Sequence, residues 1–427
     1  MKRFLFKILI IIFALTLCLG VYTACYDNDD SSEPIFKIIN GTLIGVTVDK
    51  NTITELEIPS EINGEVVKNI AAYVFRDCKS LTSVKIPDTV INMGEGVFKN
   101  CSSLTSIEIP NSVTNIIYAA FYGCSSLESI IIPDSVGTIG PDAFYGCTSL
   151  KSIIIPESVR WIGSEAFKNC TSLESIIIPN SVETIYDSTF YGCTSLESVV
   201  IGDSLTSIGE NAFENCSVLS KVNYLGSLDG WAEIEFGNQY SNPLFHTKNL
   251  YINNELLTVA NISIATKINS YAFYNCGSLK SVTIPNTVTK INSDAFNGCT
   301  SLESVTMGYS VESIGDRAFF SCVSLKDIEM LDSVIGIGLD AFRYCVSLKN
   351  VVIGNNVSTI RGYAFYGCSS LESIIIPESV EVIGYDAFRN CNLLTIYCVA
   401  KSEPIGWDRR WNSSNCNVVW GYEIENK

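Results

Sequence analysis

Across most of the chain the apolar positions return in one fixed order: Leu-x-x-Ile-x-Ile-Pro-x-Ser-Val-x-x-Ile-Gly-x-x-Ala-Phe-x-x-Cys. The cysteines mark its step. They stand at 78, 101, 124, 147, 170, 193 and 216, then at 276, 299, 322, 345, 368 and 391, 23 residues apart with one break. A constant period of this size defines stacked coils of one shape, a solenoid. In the copy Leu127–Cys147, "SLESIIIP" predicts a short strand with Ile130 and Ile132 on one face and Ser129 and Ile131 on the other. Pro133 lacks an N–H for a ladder and ends it. Gly140 recurs as Gly94, Gly163, Gly209, Gly315, Gly338 and Gly384, or as Asn269 and Asn292, and predicts a left-handed backbone there. "PDAFYGC" predicts a short helical turn with Ala143, Phe144 and Cys147 inward. A single coil cannot offset its own ordering entropy, so the coils must stack and share a parallel sheet.

The same patterning divides the chain. Residues 53–216 form a first block of repeats, 217–271 an irregular interruption and 272–397 a second block. Residues 35–52 alternate around Asn40-Gly41, a hairpin signal, and predict a cap on the first coil. Residues 398–427 bring Trp407, Trp411 and Trp420, which predict a seal on the last. In the interruption, strands are expected at Val222–Tyr224 and Leu250–Ile252, with a hairpin through Asn253-Asn254 and a helical turn in "SLDGWAEIEF". Trp231, Phe236 and Tyr240 either pack a satellite core there or form a protruding recognition element.

Charge narrows the partners. The formal net charge is −17 and no Lys/Arg cluster interrupts the repeats, which argues against nucleic acid. The N-terminus is an export signal: Lys2, Arg3 and Lys7 precede an apolar stretch from Ile8 to Ala24. Residues 1–24 therefore read as a signal peptide and 25–34 as an acidic tether. Cys25, directly after Thr23-Ala24, looks like the lipidated residue of a bacterial lipoprotein, although Tyr22 stands where Leu is usual. Ordinary cleavage and an uncleaved anchor are the alternatives; all three export the repeats.

Candidate chemistry is sparse. The ladder cysteines Cys78, Cys101, Cys124, Cys147, Cys170, Cys193, Cys216, Cys276, Cys299, Cys322, Cys345, Cys368 and Cys391 would stack one per coil. Strand spacing puts their Cβ atoms about 4.8 Å apart, beyond the ~3.5–4.5 Å of a disulfide. They are expected as free, buried thiols. Cys398 and Cys416 could pair with each other. His246 is the one histidine, so no zinc set is expected, and no nucleophile or phosphate-loop motif occurs. No metal, cofactor or catalytic residue is assigned. Carboxylates are numerous enough to keep a glycan-acting enzyme as a remote alternative.

"LESIIIPDSVGTIGPDAFYGC" resembles the unit of the BspA-like (treponemal-type) leucine-rich repeat family, and the likeness spans about residues 53–397. It implies a curved, right-handed leucine-rich repeat solenoid, mostly β, with its parallel sheet concave. It also implies a surface-exposed or secreted bacterial protein that binds host or neighbouring-cell macromolecules, including extracellular-matrix proteins.

Binding would fall to the outward strand positions. One row runs Lys85, Glu108, Ile131, Ile154, Ile177, Val200, Asn223 and later Thr283, Thr306, Glu329, Val352, Ile375. Ile131, Ile154, Ile177 and Val200 thus form an aliphatic stripe beside the serines Ser129, Ser152, Ser175 and Ser198, bordered by Glu128, Lys151 and Glu174. The expected function is a non-catalytic, adhesin-like surface protein whose partner is an extracellular protein or glycoprotein. A structural stalk or a self-associating surface component is the alternative.

Overall fold

Each coil begins with a strand of three or four residues that pairs in parallel with its neighbour a full repeat away. Ser129 lies opposite Ser152, Ile130 opposite Ile153 and Ile131 opposite Ile154. The computed structural model describes residues 36–47, 49–50 and 52–423; Cys25, the signal segment and the tether lie outside them. Within this range the chain is a β-solenoid of about 16 turns. The strand alternation is the expected one, because Ile130 and Ile132 are each 5% exposed. The first block builds a ten-stranded sheet from Glu55–Glu57 to the interruption, and the second an eight-stranded sheet from Val259–Asn261 to Asn417–Trp420.

The regular coils also carry a second, two-residue strand that the hydrophobic pattern does not reveal. Thr138–Ile139 pairs in parallel with Trp161–Ile162, and so on along a second set of sheets. The glycine after this strand does not adopt the expected left-handed backbone. A Cβ at Gly163 would lie 2.4 Å from the backbone nitrogen of Pro141, so the glycine is required by the close approach of the preceding coil. The left-handed residues lie nearby instead: Asp142 at φ 56° and Gly146 at φ 70°, with equivalents in the other coils. They break "PDAFYGC" into successive i to i+3 turns, with Tyr145 N–H donating to Asp142 O and Cys147 N–H to Phe144 O. The expected helical turn does not form.

The core is a set of ladders. Phenylalanine rings stack from coil to coil at 5.2 to 5.6 Å. The ladder cysteines are fully buried and free. Most also donate a bond: Cys147 Sγ–H reaches Phe121 O of the preceding coil at 3.3 Å, and Cys101 reaches Phe75 O at 3.1 Å. Each such thiol fills a small apolar corner and gives a second bond to a carbonyl that already accepts a backbone N–H in its own turn.

The N-terminal hairpin, Phe36–Ile39 with Thr42–Val46, turns at Asn40 and Gly41, both left-handed. It adds to the second set of sheets, where Thr42 pairs with Asn69. A further hairpin at Glu61–Ile62 and Glu65–Val66 turns through Asn63-Gly64. At the other end Trp407 and Trp411 are buried with ring centroids 4.8 Å apart, and Trp420 packs beside them. Cys398 and Cys416 do not pair. Cys398 is buried at the end of strand Thr395–Cys398, whereas Cys416 Sγ–H turns toward Cys391 O at 3.4 Å.

At the interruption both ladders stop, and side chains bridge the gap. Helix Leu228–Glu233 is N-capped by Ser227, whose Oγ accepts from Gly230 N–H. Its Trp231 is fully buried and donates from Nε1 to Ala272 O of the second block at 2.7 Å. Phe236 is buried as well and Tyr240 half-buried, so these rings do not protrude as a recognition element; they pack against Tyr224 and Phe245. Asp229 Oδ1 accepts from the backbone N–H groups of Ser263, Ile264 and Ala265. Burial pushes its pKa up, but these bonds outweigh burial and hold it below its ordinary value.

Candidate interaction face

The outward row of the first sheet starts polar and turns aliphatic. Lys85 Nζ lies 2.6 Å from Glu57 Oε1, and this bond raises the lysine's pKa, with Glu108 of the next coil adding to it. Beyond Glu108 the row becomes Ile131, Ile154 and Ile177, exposed by 77%, 75% and 59%. These side chains lean on no covering element; the strand forces them outward because their neighbours Ile130, Ile153 and Ile176 occupy the core. Parallel pairing then aligns them one above another. Val200 is half-buried, and the row continues through Asn223 to Tyr251, with Asn223 in the outward register but covered. Its Oδ1 accepts from Asn254 N–H at 2.7 Å, in the hairpin that closes the sheet.

Ser129, Ser152 and Ser175 are exposed beside the stripe and Ser198 is half-buried. Lys151 Nζ bonds Glu128 Oε2 at 3.4 Å, and Glu174 follows one coil on with its carboxylate in water. A hollow of about 520 Å³ lies at the N-terminal end of the stripe, lined by Ser83, Lys85, Ser106, Glu108, Ser129 and Ile131. The face is therefore a dry ridge with a charged hollow at one end. A ridge of this kind suits an apolar contact framed by polar groups.

Elsewhere the titratable groups serve the coils. Burial pushes the thiols of Cys124, Cys170 and Cys345 up to about 12. His246 Nε2 sits 3.1 Å from Phe213 O, and burial lowers its pKa. Among the described residues no group of three or more His, Cys, Asp or Glu side chains is placed to hold a metal ion.

The chain belongs to the BspA-type leucine-rich repeat family. The family's repeat region, in 6 copies, matches residues 49–140, 114–242 and 266–395. Among solved structures, a leucine-rich repeat protein from Bacteroides ovatus is 30% identical, with a TM-score of 0.59 over 87% of this chain and 100% of that one. A leucine-rich cell surface protein from Faecalibacterium prausnitzii is 27% identical over 94% of this chain and 99% of that one, at a TM-score of 0.46. A leucine-rich repeat protein from T. pallidum is 31% identical over 45% of this chain and 91% of that one, at 0.40. No curated protein matches the chain in sequence.

Proposed function

We propose that this is an exported, lipid-anchored, non-catalytic binding protein that holds an extracellular protein or glycoprotein against its first strand face. The observation that carries this reading is the alignment of Ile131, Ile154 and Ile177, three isoleucines more than half exposed on consecutive coils. Covering three such side chains contributes roughly 4–9 kcal/mol gross, which offsets much of the ~4–15 kcal/mol entropy of association and leaves the rest to the polar border. Single exposed aliphatics are ordinary on soluble proteins, but a contiguous row on a rigid sheet marks a contact surface.

The test is retention of partners from extracellular-matrix and mucosal extracts. The chain from Tyr26 onward is compared with a variant carrying Ile131→Lys, Ile154→Lys and Ile177→Lys. Lysine at these positions still points into water, so the variant is expected to fold, with its melting point lowered slightly by repulsion between the stacked charges. A partner held by the parent and lost by the variant is the expected outcome; equal retention would move the site off this face. Sedimentation of both proteins separates the self-associating alternative, in which the parent alone would oligomerise.

Anchoring is a distinct prediction. Cells expressing the full chain and fed a radiolabelled fatty acid are expected to label it. Cys25→Ala should abolish the label; a label that survives would refute lipidation at that residue.

A further inference from the structure

The strand face of the second block contains a hollow larger than the one beside Lys85 and Glu108, and walled by an aromatic ring. Its lining includes Thr283, Thr306, Tyr309 and Glu329, and its volume is about 820 Å³. Substitutions in the repeat open it. Where the first block sets Ile131 and Ile154 outward, this block sets Thr283 opposite Thr306, with Glu329 on the following coil. Most coils close the strand with proline; here residues 307–309 read Met-Gly-Tyr, Gly308 replacing the proline as Gly202, Leu331 and Gly354 do elsewhere. Val305 is only half-buried, whereas its counterparts Val282 and Ile328 are both buried at 2% exposure. The hollow therefore reaches toward the strand itself.

Tyr309 forms its wall. The position after the strand-closing residue is Ser60 in the first repeat and Asp, Asn or Glu in ten others: Asp88, Asn111, Asp134, Glu157, Asn180, Asp203, Asn286, Asp332, Asn355 and Glu378. Tyr309 alone puts a ring there, and it is 74% exposed. Its backbone is fixed, with its N–H donating to Asn286 Oδ1 at 2.9 Å. A ring that satisfied only the coil would pack inward, as the phenylalanines do; this one stands clear of the sheet. The polar part of the lining is hydroxyl, amide and carboxylate, from Ser263, Thr287, Asn286 and Glu329 together with the two threonines, and the remainder is apolar, including Ile284, Val305 and Leu331. No lysine or arginine lines it.

We infer that this hollow is a second binding site, separate from the isoleucine ridge, and that its ligand is a neutral oligosaccharide. An aromatic face offers the C–H face of a sugar ring a broad apolar contact, and a pocket with a few convergent polar groups fixes the sugar's hydroxyls. The carboxylate of Glu329 accepts hydroxyl hydrogens strongly and, with no cation beside it, repels sulfated or sialylated chains. The ligand is therefore uncharged.

The experiment is calorimetric titration of the chain from Tyr26 onward with cello-, xylo-, manno- and chitohexaose, and with a heparin hexasaccharide as the anionic comparison. At least one neutral hexasaccharide is expected to bind, and the heparin fragment not to. Tyr309→Asp restores the residue type of the neighbouring coils, so it should fold; it is expected to weaken binding about ten-fold or more, as loss of one ring contact implies. Tyr309→Phe should stay within about three-fold of the parent because the ring is kept. The triple lysine variant of the isoleucine ridge should bind sugar like the parent. Absence of binding by every neutral sugar, preference for heparin, indifference to Tyr309→Asp, or loss in the ridge variant would each overturn the assignment.

Discussion

The buried thiols give the repeat its punctuation and also a pH limit. The pKa of Cys170 and Cys345 is raised from an ordinary 9.0 to about 12 by burial. Below pH 9 folded and unfolded chains both hold these protons, and stability does not depend on them. Between pH 9 and about 12 the unfolded thiols ionise while the folded ones stay protonated, so stability falls by up to about 1.4 kcal/mol per pH unit for each such thiol. The expected urea midpoint is flat from pH 7 to 8.5 and drops steeply above 9; a midpoint that rises across that window would contradict the burial. The cysteines and the inward isoleucines were legible in the sequence because one period governs them. Of the two left-handed rows, the one directly before each cysteine is mostly Gly or Asn, as at Gly146 and Asn169, and leaves a trace in the sequence; the other does not. Asp142, Glu165, Ser188, Arg317 and Tyr363 all adopt positive φ at equivalent places, and so varied a set leaves no compositional trace; stacking on the neighbouring coil holds the backbone there. The glycine row was visible, but its cause was steric approach rather than turn conformation.

At the level of elements, the interruption is where one stack ends and another begins. Trp231, Asn242 and Asp229 make the links across it: Asn242 Nδ2 donates to Tyr271 O at 2.7 Å, and the Asp229 carboxylate gathers three backbone N–H groups. Charge-assisted bonds of this kind contribute about 1.5–3 kcal/mol each at most, and in a repeat protein such joints set how far unfolding is shared. Asp229→Ala is expected to turn one thermal transition into two, with hydrogen exchange rising first around residues 258–268. A single transition at an unchanged midpoint would show the joint is held elsewhere. Here the sequence revealed the helix and both strands, because capping and alternation are local signals. The burial of Trp231 and Phe236 was one of two readings open in the sequence, and the surface that seals Trp231 belongs to a coil more than thirty residues away. The two-residue strands such as Thr138–Ile139 escaped for a related reason: they are too short for a period and exist only through their neighbours.

Over the whole molecule, the parallel register has a consequence for length. Ser175 to Ile178 pair with Ser198 to Ile201 residue for residue, one period on, with no shift. One coil therefore meets the next through the same interface whichever copies they are. Excision of residues 148–170 joins Cys147 to Thr171 in unbroken phase and is expected to yield a protein that still melts cooperatively, about 4.8 Å shorter. Removing half that number of residues should abolish cooperative melting, because inward and outward positions would collide. Copies as alike as "CSSLESIIIPDSV" and "CSSLESIIIPESV" show how little a coil's place in the stack constrains its sequence. A lineage carrying this protein can lengthen or shorten it by whole coils, and with each coil gain or lose one rung of whatever its outer row recognises.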